Sequence, residues 1–388
     1  MESVKKRIYL DYASATPTSD AVLAAMEPYW QEVFANPQAV HQEGQRAHQA
    51  IEQARAEIAE TLQVKPAELI FTSGATEANS LALVGLARAA AANQEPPPTV
   101  AVSSIAHSSV RDIKTAYGQE VTLELLPVDT FGQIDPERLP EYITADTSLV
   151  SLSHANSEIG TKQPTARVKS AITKLAGSAS RRPLLHVDAS QTGLYYCVAP
   201  ERLGADLVTI NSAKIHGPKG VGLLWVRSGT PLAPLLASSS RRQVSDYQRL
   251  RPGTPPTPLI VGLASALSSA QKNYRQNHKQ VKDLQTYFIK QLQSTFSDVR
   301  LNGHPTARSP HNISLTFRDI DHDYLATRLD AHGVAVATTS ACQARYTPGS
   351  SILQELREDD TQALRISLGS KTTQDELDKT LKILKDLV

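Results

Sequence analysis

The chain has 388 residues and carries 40 basic against 39 acidic side chains, which gives a formal net charge of +1. This balance excludes the strongly basic surface with which proteins bind nucleic acid or an anionic membrane. The length exceeds what one hydrophobic core ordinarily supports, so the sequence predicts a large domain and a smaller one.

The sequence predicts neither a secretory signal nor a membrane segment. The apolar run that follows Lys5, Lys6 and Arg7 is too short for a signal peptide, and no later segment is apolar enough to span a bilayer. The two cysteines, Cys197 and Cys342, predict no disulfide framework and no metal site. We therefore expect a soluble, cytoplasmic protein whose partners are small molecules and other proteins.

Seven short apolar segments, each bounded by turn-forming or polar residues, predict buried β-strands. They are ELIFTS (68–73), TVAVSS (99–104), VTLELL (121–126), SLVSLS (148–153), LLHVDA (184–189), LVTIN (207–211) and GVGLLWV (220–226). Helical spacing of apolar residues predicts helices between them, from Ala47 to Leu62 and over PTARVKSAITKLA. PERLPEYI predicts only a short helix, because Pro140 interrupts it. Strands that alternate with helices indicate an α/β fold with a mainly parallel sheet.

The proline-rich segment RPGTPPTP (251–258) predicts a domain boundary. Beyond it the sequence changes to a long polar helical stretch and then to a smaller pattern of strands and helices. We expect a large domain over residues 15–257 and a small domain formed by residues 1–14 and 258–388.

Polar clusters follow several of the predicted strands, where ligands gather in open α/β sheets. TSGATEAN (72–79) leads into a helix whose first N–H groups are suited to a phosphate, although ordinary helix capping explains the same residues. Asp188 ends one strand and Lys214 follows the next. Taken singly, the acid suggests a turn and the lysine a solvated charge. Together, the three features supply what pyridoxal phosphate needs: a phosphate site, an acid for the pyridine nitrogen and a lysine for the aldehyde.

The two cysteines lie in different surroundings. Cys342 sits in TTSACQARYTPGSS (338–351), among the small and turn-forming residues of a loop. Free cysteine is usually buried, so a thiol in such a loop is either accidental or reactive. Cys197, in LYYCVAP, is expected to be a buried structural thiol.

The sequence closely resembles the NifS/IscS-like cysteine desulfurases, within the class V aminotransferase family of pyridoxal phosphate enzymes. The motifs that carry the resemblance stand in the family's order: YLDYASATP, NPQAVHQEG, IFTSGATEANSLAL, HANSEIGTKQP, HVDASQ, KIHGPKGVGLLWVR, RPGTPP, TTSAC and ALRISLGSKTT. The resemblance implies the PLP-dependent transferase fold type I, which is aspartate aminotransferase-like. It also implies removal of sulfur from L-cysteine, with L-alanine released and a persulfide formed on Cys342.

The resemblance further implies a role for individual residues. Lys214, Cys342 and His107 match catalytic residues: Lys214 binds the aldehyde, and His107 stacks on the pyridine ring. Gln191 matches the residue that lies near the phenolic oxygen of the cofactor. Arg365 matches the arginine that takes the substrate carboxylate, and Asn36 lies near the same end of the substrate. The implied cofactor-binding positions are Ala75, Thr76, His107, Asn156, Ser157, Asp188, Gln191, Asn211, Ser212, Lys214 and, from the opposite subunit of a homodimer, Thr254.

Five positions depart from the family's pattern, and one of them is Asn211, which replaces a common serine. Ala213 stands where a histidine that helps bind the phosphate is usual, and Ser157 stands where an asparagine is usual. Ala106 replaces an acidic neighbour of the stacking histidine, and Thr339 replaces a glycine near Cys342. These departures concern cofactor affinity and turnover rather than the fold.

Three other functions share most of these residues. A selenocysteine lyase would differ in its chalcogen, and another class V aminotransferase or lyase would need no essential thiol. A non-catalytic scaffold for a sulfur-transfer partner would have no use for Lys214, Asp188 and Arg365 together. For a desulfurase, the resemblance implies a sulfur-acceptor protein such as an iron–sulfur scaffold.

Overall fold

The structure is a computed structural model that describes residues 7–176, 182–237, 249–338, 349–357 and 361–388. Its strands form a seven-stranded, a three-stranded and a two-stranded sheet within these ranges. The strands are β1 Ile8–Tyr9, β2 Leu69–Thr72, β3 Thr99–Ser103, β4 Thr122–Leu126, β5 Thr147–Ser153, β6 Leu184–Asp188, β7 Leu207–Asn211, β8 Gly222–Val226, β9 Val299–Leu301, β10 Asn312–Phe317, β11 Val334–Ala335 and β12 Leu364–Ser367.

The seven predicted strands make up the large sheet, in the order β2-β8-β7-β6-β5-β3-β4. The neighbours from β7 to β4 pair in parallel, which confirms the mainly parallel α/β sheet. β8 runs antiparallel to both of its neighbours, β7 and β2. The sequence pattern did not predict this reversal. Its physical cause is the short connection from β7 to β8, since a parallel crossover needs a dozen or more residues.

Helices cover the described chain between the strands. They are α1 Asp20–Met26, α2 Pro28–Gln31, α3 Gln42–Leu62, α4 Ala75–Ala92, α5 Ser108–Arg111, α6 Ile113–Tyr117, α7 Thr165–Ala176, α8 Pro200–Leu203, α9 Thr257–Thr295, α10 His322–Ala331, α11 Ser351–Leu356 and α12 Gln374–Leu387. Short 3-10 turns span Pro66–Glu68, Leu139–Glu141 and Ser212–Lys214. Of the helices in the described ranges, none combines the length and the apolar character needed to cross a membrane.

The helix predictions are mostly confirmed. α3 and α7 occupy the segments with helical spacing, and α9 begins at Thr257, within the last two residues of the proline-rich segment. The short helix predicted over PERLPEYI is present only as the three-residue 3-10 turn Leu139–Glu141. Pro140 lies within the first two residues of that turn, where the lack of its N–H is tolerated.

The two-stranded sheet combines the beginning of the described chain with its later part, whereas the strands of the three-stranded sheet all follow α9. β10 lies between β9 and β12 and is antiparallel to both, while β1 pairs in parallel with β11. One apolar core cluster includes Val187 and Ile210 of the large sheet together with Ile313 and Leu364 of the three-stranded sheet. The division into residues 15–257 and the two flanking segments stays a prediction, since the core is continuous across it.

A buried carboxylate connects the neighbouring ends of β6, β7 and β8. The side chain of Asp206 is fully buried just before β7, and it accepts hydrogen bonds from Lys169 Nζ (2.6 Å), Arg182 Nη1 (2.8 Å) and the Leu185 N–H (3.0 Å). Arg227 Nε donates to it at 3.0 Å. Burial alone raises the pKa of Asp206, but these hydrogen bonds and charges hold that pKa well below its usual range.

We expect Asp206→Asn to lower the free energy of unfolding by about 3 kcal/mol, because it removes the carboxylate that three cations share. Urea denaturation at pH 7 measures the difference. Because the folded pKa is depressed, the contribution is fully present above about pH 4 and is lost as the pH falls below that value. The gap between the two proteins should therefore close on acidification.

The matched control is Asp375→Asn, since Asp375 forms an exposed pair with Lys379 at 2.6 Å on α12. This variant should unfold at nearly the same urea concentration as the unsubstituted chain, because exposed pairs contribute little. Equal stability of the Asp206 and Asp375 variants would contradict the role given to the buried carboxylate.

Candidate active site

The polar segments that follow the strands meet in one cleft at the carboxyl-terminal edge of the large sheet. β5, β6 and β7 are parallel neighbours, so their last residues Ser153, Asp188 and Asn211 come together there. The cleft holds about 850 Å³ of empty space, part of it open to solvent. The sequence-predicted site residues that line it are Ala75, Thr76, His107, Asn156, Ser157, Asp188, Gln191, Asn211, Lys214 and Arg365.

The other predicted site residues lie elsewhere. Ser212 is fully buried beside the cleft, and Asn36 and Thr254 are exposed and do not line the cleft of their own chain. The side chain of Asn36 accepts from the Gln38 N–H at 3.0 Å. Cys342 lies outside the described residues. The roles of these four residues stay predictions, as do the roles of the residues that line the cleft.

Asp188 is held by two donors. Its Oδ1 accepts from the Ser190 N–H and its Oδ2 accepts from Asn79 Nδ2, both at 2.9 Å. Asn79 is fully buried and also donates to Ser109 Oγ at 2.9 Å. Ser109 in turn contacts His107 Nδ1, through its N–H at 3.1 Å and its hydroxyl at 2.9 Å. A continuous chain of hydrogen bonds therefore links His107 to Asp188.

Asn79 is a residue of this network that the sequence pattern did not predict. The signal was present in the motif, because Asn79 lies four residues after Ala75 and residues with that spacing share one face of a helix. Because the helix itself was predicted, the same spacing rule also predicts that Asn79 lies on the face of Ala75.

Lys214 stands in the 3-10 turn Ser212–Lys214 that directly follows β7. Its Nζ donates to the carbonyl oxygens of Ala13, at 2.7 Å, and of Ser14. The turn itself is fixed by the Asn211 side chain, which accepts from the Ala213 N–H at 3.2 Å. The lysine amine is thus held on the wall of the cleft by the backbone of a segment about 200 residues away along the chain.

Arg365 is buried on β12 and faces the same cleft. Its Nη2 donates to Asp11 Oδ1 at 2.8 Å and to Ser14 Oγ at 2.6 Å, and its Nη1 donates to the Ser157 carbonyl at 3.2 Å. Nε of Arg365 is buried and meets no acceptor within the described part of the chain. A guanidinium has five N–H groups, so donors remain for a ligand carboxylate.

Asn156 lines the cleft, but its side chain mainly shapes the loop after β5. Its Nδ2 donates to the Ile105 carbonyl at 2.9 Å, while its Oδ1 accepts from the N–H groups of Glu158 and Ile159 at 2.8 and 3.0 Å. The neighbouring Ser157 receives Arg365 through its backbone carbonyl.

The donors and acceptors around the cleft fit pyridoxal 5'-phosphate. α4 begins at Ala75 without a side-chain cap among the described residues, so its first N–H groups and its positive helix end suit a phosphate. Ser212 Oγ is buried and, in the described ranges, has no hydrogen-bond partner of its own. The carboxylate of Asp188 would suit the pyridine nitrogen, and the amine of Lys214 would suit the aldehyde.

Two further expectations concern cysteine and metal. The prediction that Cys197 is buried was wrong, because this residue is only partly buried. It lies directly after a run of turns that follows Asp188. In the part of the chain that the structure describes, no group of three His, Cys, Asp or Glu side chains is arranged to hold a metal ion.

Comparison with known proteins gives consistent results along the whole chain. The aminotransferase class-V family profile matches residues 8–380. The cysteine desulfurase IscS 1 of Archaeoglobus fulgidus is 36% identical over 384 residues, which cover 98% of this chain and 96% of that protein. Among solved structures, a NifS-like protein has a TM-score of 0.87 at 29% identity and covers 98% of this chain and 99% of its own. SspA in complex with cysteine has a TM-score of 0.77 at 29% identity, with 94% of this chain and 100% of that chain covered.

The chain belongs to the class V aminotransferase family, in agreement with its mainly parallel sheet and its lysine-bearing cleft. Within that family it belongs to the IscS- and NifS-like cysteine desulfurases, and its cofactor is pyridoxal 5'-phosphate. The predicted family, the fold type I architecture and the cofactor are therefore confirmed.

We expect Asn79→Ala to weaken cofactor binding about tenfold, because Asp188 loses one of its two described donors. Equilibrium titration of the cofactor-free protein with pyridoxal 5'-phosphate, followed by visible absorption, measures the dissociation constant. Asn273→Ala is the control, since Asn273 is an exposed amide on α9 that donates only to the Ser269 carbonyl. An Asn79→Ala protein with the same dissociation constant as this control would refute the positioning of Asp188 by Asn79.

Proposed function

We propose that this chain removes sulfur from L-cysteine, releases L-alanine and holds the sulfur as a persulfide on Cys342 for transfer to an acceptor protein. The observation that carries the proposal is the presence of Lys214, Asp188 and Arg365 around one cleft. They supply an amine, a carboxylate and a guanidinium, which is the set that an amino-acid substrate and pyridoxal phosphate together require. The similarity to IscS 1, and to SspA in its complex with cysteine, supports L-cysteine as the substrate.

The described residues divide the work between binding and proton transfer. When bound, pyridoxal phosphate supplies a ring that accepts electrons from the α-carbon of an amino acid. Arg365 binds the substrate carboxylate through the N–H groups that do not donate to Asp11, Ser14 or Ser157. Lys214 takes the α-proton, and Asp188, held by Asn79 and Ser190, keeps the ring nitrogen protonated.

Cys342 completes the reaction as the nucleophile. Its thiolate attacks the substrate sulfur, so that an S–S bond forms while the C–S bond breaks and its electron pair stays on carbon. That carbon takes a proton and becomes the methyl group of alanine. A cysteine with an ordinary pKa near 8.5 is mostly thiol at neutral pH, so a neighbouring group must favour the thiolate. His107, on the wall of the cleft, is the candidate among the described residues.

The proposal includes a homodimer, a cytoplasmic location and a sulfur-acceptor protein such as an iron–sulfur scaffold. Thr254 is exposed and away from the cleft of its own chain, so a cofactor contact by this residue needs a second subunit. Sedimentation of the cofactor-loaded protein should give the mass of two chains. A monomer at micromolar concentration would contradict the shared site.

Lys214→Ala should abolish the visible absorption of the bound cofactor. It should also lower the rate of alanine production by at least about a thousandfold. The amine that joins the aldehyde and moves the α-proton is then absent. Absorption spectra and a coupled alanine assay measure the two effects. Lys219→Ala is the matched control, because Lys219 lies five residues away and donates to the Thr16 carbonyl at 2.7 Å outside the cleft lining. Activity that survives in Lys214→Ala but not in Lys219→Ala would reverse the assignment.

Cys342→Ser should still bind cysteine and change the cofactor's spectrum, but it should release no alanine and carry no persulfide. A serine hydroxyl has nearly the same size as the thiol and is a poor nucleophile toward sulfur. Alkylation after a single turnover with cysteine, followed by mass spectrometry, locates the persulfide. Cys197→Ser is the control and should keep full activity, because Cys197 is not among the residues that line the cleft. Persulfide on Cys197, or normal alanine output from Cys342→Ser, would exclude the proposed sulfur route.

A further inference from the structure

His311 is a buried histidine next to the cleft that the proposed reaction does not use. It lies directly before β10 and is 4% exposed. Its Nδ1 is 2.7 Å from Ser309 Oγ, and its ring stacks on Tyr195 with centroids 4.9 Å apart and planes 15° from parallel. Its Nε2 is 3.3 Å from Oε1 of Gln191, which lines the cleft. Three different contacts therefore fix this ring.

The contacts of Gln191 determine where the protons of this network lie. The amide nitrogen of Gln191 donates to the Ala13 carbonyl at 3.1 Å, and a carbonyl can only accept. The amide oxygen must then face His311, so the Nε2 of His311 must carry the proton. Nδ1 of the same ring accordingly accepts from the Ser309 hydroxyl.

The ring keeps this arrangement over the physiological range. Burial, together with the positive charges of Arg365 and Lys214, lowers the pKa of His311 to about 3. The imidazole therefore stays neutral, with a single N–H that points to Gln191.

The amide nitrogen of Gln191 has two N–H groups, and the Ala13 carbonyl uses one of them. The second is left for the cleft. The titratable groups around the cleft are Lys214, Asp188, Arg365 and His107, and Tyr195 covers the other side of His311.

The family resemblance implies that Gln191 lies near the ring oxygen of the bound cofactor. We propose that His311 is a positioning residue, whose Nε2–H holds the Gln191 amide so that one N–H group of that amide stays directed at this oxygen. This inference rests on the proposed function, since it assumes a cofactor joined to Lys214. Donation to that oxygen stabilises its negative charge and lowers the pH at which the cofactor's visible absorption changes. Without His311, the buried amide oxygen of Gln191 loses its donor and the amide is no longer held in one orientation.

The first experiment titrates the visible absorption of the cofactor-loaded protein against pH. In His311→Phe, which keeps a ring against Tyr195 but has no N–H, the midpoint should rise by about one pH unit. In His311→Gln, an amide N–H can reach the place of Nε2, so the midpoint should return toward that of the unsubstituted protein. His322→Phe is the matched control, because His322 is equally buried but accepts from the Phe317 N–H, outside the cleft lining.

A double-variant cycle tests whether His311 acts through Gln191. Gln191→Leu should raise the midpoint at least as much as His311→Phe, and the double variant should equal Gln191→Leu alone. A second readout does not need the cofactor, since ¹⁵N NMR of the cofactor-free protein should report the Nε2–H tautomer of His311 from pH 5 to pH 8.

The possible results separate the two proposals. An unsubstituted chain that binds no cofactor contradicts the proposed function. A normal cofactor spectrum with an unchanged midpoint in His311→Phe overturns the positioning role. The Nδ1–H tautomer, or shifts that add in the double variant, also overturn it.

Discussion

The hydrogen bonds of the segment from Leu10 to Thr16 connect the part of the site around Arg365 with the part around Lys214. On one side, the Leu10 carbonyl accepts from the Ser367 N–H at 2.7 Å, and the Ala13 N–H donates to Ser367 Oγ at 2.9 Å, next to Arg365 on β12. On the other side, the Thr16 N–H donates to the Ala213 carbonyl at 2.9 Å, beside Lys214. The segment therefore fixes the separation between the guanidinium of Arg365 and the amine of Lys214, the two groups that the proposed function assigns to the substrate carboxylate and the cofactor.

The sequence was most informative where a local pattern decides the structure. The seven strands of the large sheet appear within one or two residues of their predicted bounds, because a short apolar run between turn-forming residues can be buried in few other ways. The order of strands also placed Asp188 and Lys214 at one edge of the sheet, since parallel neighbours end together. The direction of β8 depended on the length of a connection, which the periodicity of apolar residues does not register.

The parts of the site that could not be predicted are contacts across long separations in sequence. Asn79 and Asp188 are 109 residues apart, and Gln191 and His311 are 120 residues apart. The partners of Lys214 near the N-terminal strand are backbone carbonyls, which every residue type possesses. Some departures from the family pattern are explained in the same way. Ser157 and Ala213 contribute carbonyl oxygens to Arg365 and Thr16, so the identity of their side chains matters less to the framework than their position.

The continuous core beneath the two sheets has a consequence for motion. The apolar cluster that contains Val187 and Ile313 passes from the large sheet to the three-stranded sheet without interruption. A hinge rotation that exposed even about 400 Å² of this surface would cost about 10 kcal/mol, at roughly 25 cal/mol per Å². We therefore expect the described chain to behave as one rigid body on the timescale of turnover, with the admission of substrate governed by rotamer changes at the rim of the cleft.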